Sequence, residues 1–262
     1  APPLPAAFLG APLAHRGLHD RAAGVIENPL SAVLAAAEAG YGAEIDLQLS
    51  SAGEAMVFHD DDLARLTGRD GPVGALTAAE LAALPLLGAE SAETPPRFAD
   101  LLAALAGRAP LLVEIKRQST EAATRGLAAR ACVALQDYAG PVALMSFDPV
   151  AVLACAEAAP ALPRGLTSMD YVAAAGRGDI DAAGLPQDLQ EALTAMSAFD
   201  AAGAAFVSYR WQDLPNPGAQ ALRDAGVPVL CWTTRSLQDD AAARRHADNV
   251  TFEGYRPAAS AA

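Results

Sequence analysis

Two histidines, His15 and His59, each close a short apolar run, and the acidic pair of Glu44-Ile45-Asp46 lies between them. A third carboxylate follows in Val113-Glu114-Ile115-Lys116. Imidazoles titrate near neutral pH, so two of them can serve as proton donor and proton acceptor. Three carboxylates, Glu44, Asp46 and Glu114, suit one hard divalent cation, Mg2+ or Ca2+. Arg16, next to His15, and Lys116 can grip an anion. Together these groups have the chemistry to break a phosphate ester. The cation and the two basic side chains take the phosphoryl oxygens. One histidine deprotonates the attacking hydroxyl and the other protonates the leaving alkoxide. The sequence does not assign which histidine does which.

Side chains on a strand alternate faces with period two, so Glu44 and Asp46 point the same way, as do Glu114 and Lys116. Their flanks Ala43, Ile45, Leu47, Val113 and Ile115 are apolar. Charges in such a setting are costly unless a cation neutralises them. His19 and His246 have no comparable setting and read as surface or structural residues.

Eight apolar runs could be strands: 12–15, 43–49, 111–115, 142–147, 164–167, 205–208, 228–232 and 249–252. Helical stretches separate them. An extra run at 55–59 follows Ser50-Ser51-Ala52-Gly53 and reads as a hairpin extension of the second strand. Asn28-Pro29, Asp148-Pro149 and Asn216-Pro217 each pair an N-cap residue with Pro at N1. Thr77 with Glu80 makes a capping box, and Ser236 caps the helix ahead of Arg244 and Arg245. Gly40 and Gly226 suit the position just after a helix.

This alternation predicts a (β/α)8 TIM barrel as one domain over 1–262, with one short helix in a small insertion at about 61–96. The eighth helix should be truncated, because little chain follows Phe252. An open doubly wound sheet is the rival, weakened by the lack of a GxGxxG after the first strand.

Composition narrows the partners. The formal charge of −13 disfavours nucleic acid and anionic membranes. Cys132, Cys155 and Cys231 are odd in number, widely spaced and free of any CxxC, so buried free thiols are expected. No apolar run reaches the roughly 20 residues of a membrane span, and residues 1–10 lack the basic start of a signal peptide. A cytoplasmic protein is the expectation.

The series His15-Arg16-Gly17, Glu27-Asn28, Glu44-Ile45-Asp46, His59-Asp60, Glu114-Ile115-Lys116, Ser146-Phe147-Asp148 and Trp232-Thr233 resembles the glycerophosphodiester phosphodiesterase family. The resemblance runs in order from residue 12 to about 235. It implies a (β/α)8 barrel with an insertion after the His-Asp element. It also implies hydrolysis of glycerophosphodiesters to glycerol 3-phosphate and an alcohol, through a cyclic phosphate made by the neighbouring glycerol hydroxyl. The implied cation ligands match Glu44, Asp46 and Glu114, the acid and base match His15 and His59, and the phosphate contacts match Arg16 and Lys116. Trp232, at a strand end, is expected to line the pocket and cover the glycerol or alcohol portion. Three places depart from the family's pattern: Glu27-Asn28-Pro29 for ENT, Trp232-Thr233-Thr234-Arg235 for WTVN, and Thr251-Phe252-Glu253 for a TD pair.

Two rivals remain. A lipid-acting, phospholipase D-type or cyclising phosphodiesterase needs a lipid-facing surface, but residues 61–96 contain no Trp or Tyr and only two arginines. A non-catalytic phosphate-binding barrel would be expected to lose a histidine or a carboxylate, and all five are present.

Overall fold

The computed structural model describes residues 1–176 and 185–259. Eight parallel strands close into a barrel: β1 (Leu13–Ala14), β2 (Gly42–Leu49), β4 (Leu111–Ile115), β5 (Val142–Ser146), β6 (Arg164–Ser168), β7 (Phe206–Arg210), β8 (Val229–Thr234) and β9 (Asn249–Phe252). Closure runs through β1, which pairs with β9 on one side and with Gly42 and Ala43 of β2 on the other. Beyond that short pairing the edge of β2 is taken by β3 (Ala55–Val57), an antiparallel hairpin partner of Leu47–Leu49. The expected strands are all present, with ends shifted by at most two residues.

Helices cover the outside: α2 (Leu30–Glu38), α5 (Phe98–Leu105), α6 (Glu121–Ala134), α7 (Pro149–Ala158), α8 (Tyr171–Gly176), α9 (Gln187–Thr194), α10 (Pro217–Asp224) and α11 (Leu237–Ala243). Their starts follow local chemistry. Asp148 accepts from the Val150 N–H, Asn216 from Gly218 and Ala219, and Ser236 from Asp239. Gly40 and Gly226 follow their helices with φ of +79° and +87°. No helix follows β9 among the described residues, where a truncated eighth helix was expected.

Alternation along the strands divides the barrel interior into layers. Leu13, Leu112, Ala143, Met145, Phe206 and Leu230 pack as one apolar cluster with Leu4 and Phe8. Phe8 belongs to α1 (Ala7–Gly10), which plugs the N-terminal end. Asn249 ties it there, donating to the Phe8 and Ala11 carbonyls at 2.7 Å. Along the same faces come Glu44, in register with Leu112, and then, one pleat further, Asp46 and Glu114, in register with each other. The floor of the barrel is therefore sealed by carbon, and the acidic residues face its C-terminal mouth. The three cysteines are free and buried.

The stretch 61–96 holds two short α-helices, α3 (Ala64–Thr67) and α4 (Ala78–Leu81), and a 3-10 turn, Val73–Ala75, where one helix was expected. Four-residue helices are too short to show a 3.6 period, so only α4, with its Thr77–Glu80 capping box, was legible. Leu63, Leu66, Leu76, Leu81 and Leu86 bury against Ile26, Met56 and Phe58 in a cluster of their own. Among the described residues no helix is long and apolar enough to cross a membrane.

Candidate active site

Glu44 and Asp46 sit on β2 and Glu114 on β4, with Asp46 and Glu114 in register across the sheet. All three are buried, and each offers an oxygen within 4.8 Å of the others. Burial and repulsion from Asp46 and Glu114 push the Glu44 carboxyl well above its usual range. Burial would raise Asp46 too, but the charges of His59, Lys116 and Arg16 outweigh it and hold Asp46 at about 2. Lys116 Nζ lies 3.0 Å from Glu114 and 3.7 Å from Asp46. Its ammonium loses solvation on burial, but Glu114 and Asp46 more than compensate and raise its pKa.

Arg16 is shared: Nη1 donates to Glu27 at 2.6 Å and Nε lies 3.4 Å from Asp46. Three interior carboxylates thus face one lysine and a part of one arginine. That excess of negative charge, with oxygens converging, fits a divalent cation on Glu44, Asp46 and Glu114.

The loop after β1 is shaped by these contacts. Arg16 has φ +54° and Gly17 φ +78°. In that turn the Arg16 N–H donates to the Glu44 carboxylate at 3.0 Å, and the Gly17 N–H reaches the Ala14 and Glu44 carbonyls. A Cβ on Gly17 would lie 2.7 Å from the Ala32 carbonyl carbon, so only glycine fits. The His-Arg-Gly triplet is thus a backbone requirement as well as a chemical one.

Both imidazoles are oriented by carboxylates. His15 Nδ1 lies 2.8 Å from Glu253 Oε2, and His59 Nδ1 lies 2.7 Å from Asp60 Oδ1. The hydrogen bond from His15, against the cost of burial, holds Glu253 at about 2. Burial opposes ionisation of Asp60, but bonds from His59 and Arg65 hold it below the usual range. Two ionised carboxylates only accept, so each Nδ1 carries a proton and each Nε2 is the ring nitrogen its carboxylate does not engage. Burial lowers the His15 pKa against the pull of Glu253. Both rings lie close enough for their charges to act on Asp46.

Arg65 of α3 donates to Glu27 at 2.7 and 2.9 Å and to Asp60 at 2.6 and 2.8 Å. An unbroken chain of ion pairs therefore runs Arg16–Glu27–Arg65–Asp60–His59 and ties the insertion to the mouth of the barrel. Glu27, burial notwithstanding, is held at about 2 by Arg65 and Arg16.

Asn28 corrects an expectation. The helix-cap reading fails: α2 starts after Pro29, and Asn28 makes no cap hydrogen bond to it. It adopts φ +73° instead, and its side-chain amide donates to Asp46 Oδ2 at 3.0 Å while its carbonyl accepts from the Asp46 N–H at 3.3 Å. Asn tolerates the left-handed region better than most residues, which suits it to this place. The motif carried that signal; reading Pro29 as the first helical residue hid it. Glu253 and Arg65 also gained no role from the sequence, because nothing local announces which carboxylate will meet a histidine 238 positions away; Asp60, next to His59, stood in the motif without an assigned role. His19, expected to be surface or structural, lies beside His15 and Glu253.

Trp232 has the parity of Leu230 and so belongs to the interior face of β8. It packs edge-on against Phe147, ring centroids 5.2 Å apart, and its indole N–H reaches the Ser208 carbonyl at 3.3 Å.

The sequence profile of the glycerophosphoryl diester phosphodiesterase family matches residues 15–250. The chain belongs to this family. It is, accordingly, an enzyme of the phosphodiesterase class. No curated protein sequence matches it. Solved structures share the family's fold. A phosphodiesterase from Oleispira antarctica, solved with the product sn-glycerol-3-phosphate, is 22% identical with a TM-score of 0.73, covering 94% of this chain and 93% of its own. A glycerophosphodiester phosphodiesterase from Parabacteroides distasonis is 19% identical with a TM-score of 0.72 over 93% and 94%. One from Thermotoga maritima is 21% identical with a TM-score of 0.67 over 92% and 94%.

Proposed function

We propose that the protein hydrolyses glycerophosphodiesters to glycerol 3-phosphate and an alcohol, with His15 and His59 as the catalytic pair. The observation that carries this reading is the convergence of two carboxylate-oriented imidazoles on a buried acidic trio at the mouth of a family-matched barrel. The product bound by the Oleispira relative is consistent with it.

Glu44, Asp46 and Glu114 would hold one divalent cation, Mg2+ or Ca2+, which when bound supplies a Lewis acid for the phosphoryl oxygens. Arg16 and Lys116 are the cationic side chains for the remaining phosphoryl charge. One histidine takes the proton of the glycerol hydroxyl beside the phosphorus, through its unprotonated Nε2. The other, protonated on both nitrogens at this stage, donates its Nε2 proton to the leaving alkoxide. The cyclic phosphate formed in this way is opened by water with the two roles exchanged, which explains why no Ser or Cys nucleophile is needed. Glu253 and Asp60 keep each ring in the tautomer that works and stabilise the imidazolium that forms. Trp232 and Phe147 form an apolar wall on the rim for the carbon portion of the substrate. We further infer one catalytic domain, acting on small-molecule substrates in the cytoplasm.

Glycerophosphocholine with added Mg2+ or Ca2+ tests the reading. Release of glycerol 3-phosphate that EDTA abolishes is expected. A cyclic phosphate that persists would indicate the cyclising rival, and no turnover with any divalent metal would overturn the enzymatic assignment.

A further inference from the structure

The molecule holds a second group of metal-binding character, made of different ligands. His15, His19 and Glu253 each offer one ligand atom, and these atoms lie within 4.8 Å of one another. Two imidazoles and a carboxylate are the donor set of many zinc sites, with a fourth position left to water, whereas the trio Glu44, Asp46 and Glu114 is all oxygen and suits hard cations. His19 Nε2 is buried and makes no hydrogen bond, an unfavourable state for a polar ring nitrogen. His19 and Glu253 line a cleft of about 420 Å³ with Asp20, Phe252 and Tyr255, and no residue of the acidic trio lines it. An ion can therefore arrive from solvent without crossing the substrate site.

We propose that His15, His19 and Glu253 form an inhibitory site for Zn2+ or a cation of similar softness. This rests on the catalytic role proposed for His15. Zinc bonds of about 2.0–2.1 Å set ligand atoms about 3.3–3.4 Å apart, so the His15–Glu253 pair, at 2.8 Å, opens slightly while more distant ligand atoms close in. Binding at Nδ1 displaces to solvent the proton that His15 shares with Glu253. Nε2 then takes up a proton in its place and can no longer accept one; binding at Nε2 blocks the ring outright. Either way the imidazole stops cycling. Arg235, which donates to Glu253 at 2.8 Å, competes with the ion for that carboxylate.

The test is Zn2+ binding by titration calorimetry to protein saturated with Mg2+, alongside turnover of glycerophosphocholine. The wild type should bind one Zn2+ and lose activity as it does. His19→Ala should keep turnover within about twofold and weaken zinc binding by at least about tenfold; His19→Gln guards against a folding defect and should do the same. Arg235→Ala should tighten zinc. Wild-type zinc affinity in both His19 variants, or no zinc bound to the Mg2+-saturated wild type, would overturn the proposal. The calorimetric arm decides this whether or not the protein turns over, so a failed phosphodiesterase assay would count only against the catalytic reading.

Discussion

Replacing Glu253 with glutamine isolates the contribution of the His15 partner. Glu253 Oε2 receives the His15 Nδ1 proton at 2.8 Å, and the two side chains are 21% and 16% exposed. A hydrogen bond to a charged group is worth about 1.5–3 kcal/mol, and partial exposure places this one near the lower end, about 1.5–2 kcal/mol. At about 1.4 kcal/mol per decade, kcat/KM should fall roughly 10–30-fold. This is well short of the roughly 10⁴-fold lost when a wholly buried triad carboxylate is neutralised. A glutamine retains the shape but not the charge, so the imidazolium loses its stabiliser. The limb of the pH–rate profile that belongs to His15 should move to lower pH. The assay is glycerol 3-phosphate release at saturating cation across pH. Arg235, 63% exposed on the other Glu253 oxygen, provides the control, and Arg235→Ala should leave kcat within about twofold, as expected of an exposed ion pair. If Glu253→Gln retains both the wild-type rate and the wild-type pH profile, Glu253 does not position His15 and the proton-transfer scheme fails at that point.

His15→Ala and His59→Ala should each lower kcat by about 10²–10⁴ with little change in melting temperature; a wild-type rate in either removes that ring from the mechanism. Asn28→Ala deletes both hydrogen bonds to Asp46 and leaves an alanine at φ +73°. Cation affinity, read from the metal dependence of the rate, should weaken about 10–100-fold, and an unchanged titration would return Asn28 to a structural role. Glu27 stays ionised in the folded protein down to about 2, against 4.5 in the unfolded chain. Its ion pairs with Arg65 and Arg16 therefore stabilise the fold fully above pH 4.5, and that contribution is lost as pH falls through about 2. The melting-temperature gap between wild type and Glu27→Gln should be largest at about pH 5 and close toward about pH 2; a gap independent of pH would contradict the pairing.

The barrel was legible because each level of the sequence agreed with the next. Apolar runs of strand length alternate with capped helices, and the parity of Glu44 with Asp46 and of Glu114 with Lys116 sends both acidic elements to one face. The hairpin at 55–57 followed from the small polar turn before it. Contacts between distant segments were harder to read. Glu253 follows the last strand and looks like any exposed acid until barrel closure sets β9 beside β1. Arg65 lies on a four-residue helix whose position depends on its own small leucine cluster. Asn28 satisfied a local helix-cap rule that tertiary structure overrode, because a buried Asp46 needed a neutral donor more than α2 needed a cap.

Catalysis as proposed requires one cation and one phosphate to meet two histidines. A crystal of the Mg2+- or Ca2+-loaded protein with sn-glycerol 3-phosphate measures that directly. The expected density is an ion ligated by Glu44, Asp46 and Glu114, with the phosphate beside Arg16 and Lys116 and within hydrogen-bond reach of His15 and His59. An ion bound elsewhere, or a phosphate that neither imidazole can reach, would contradict it.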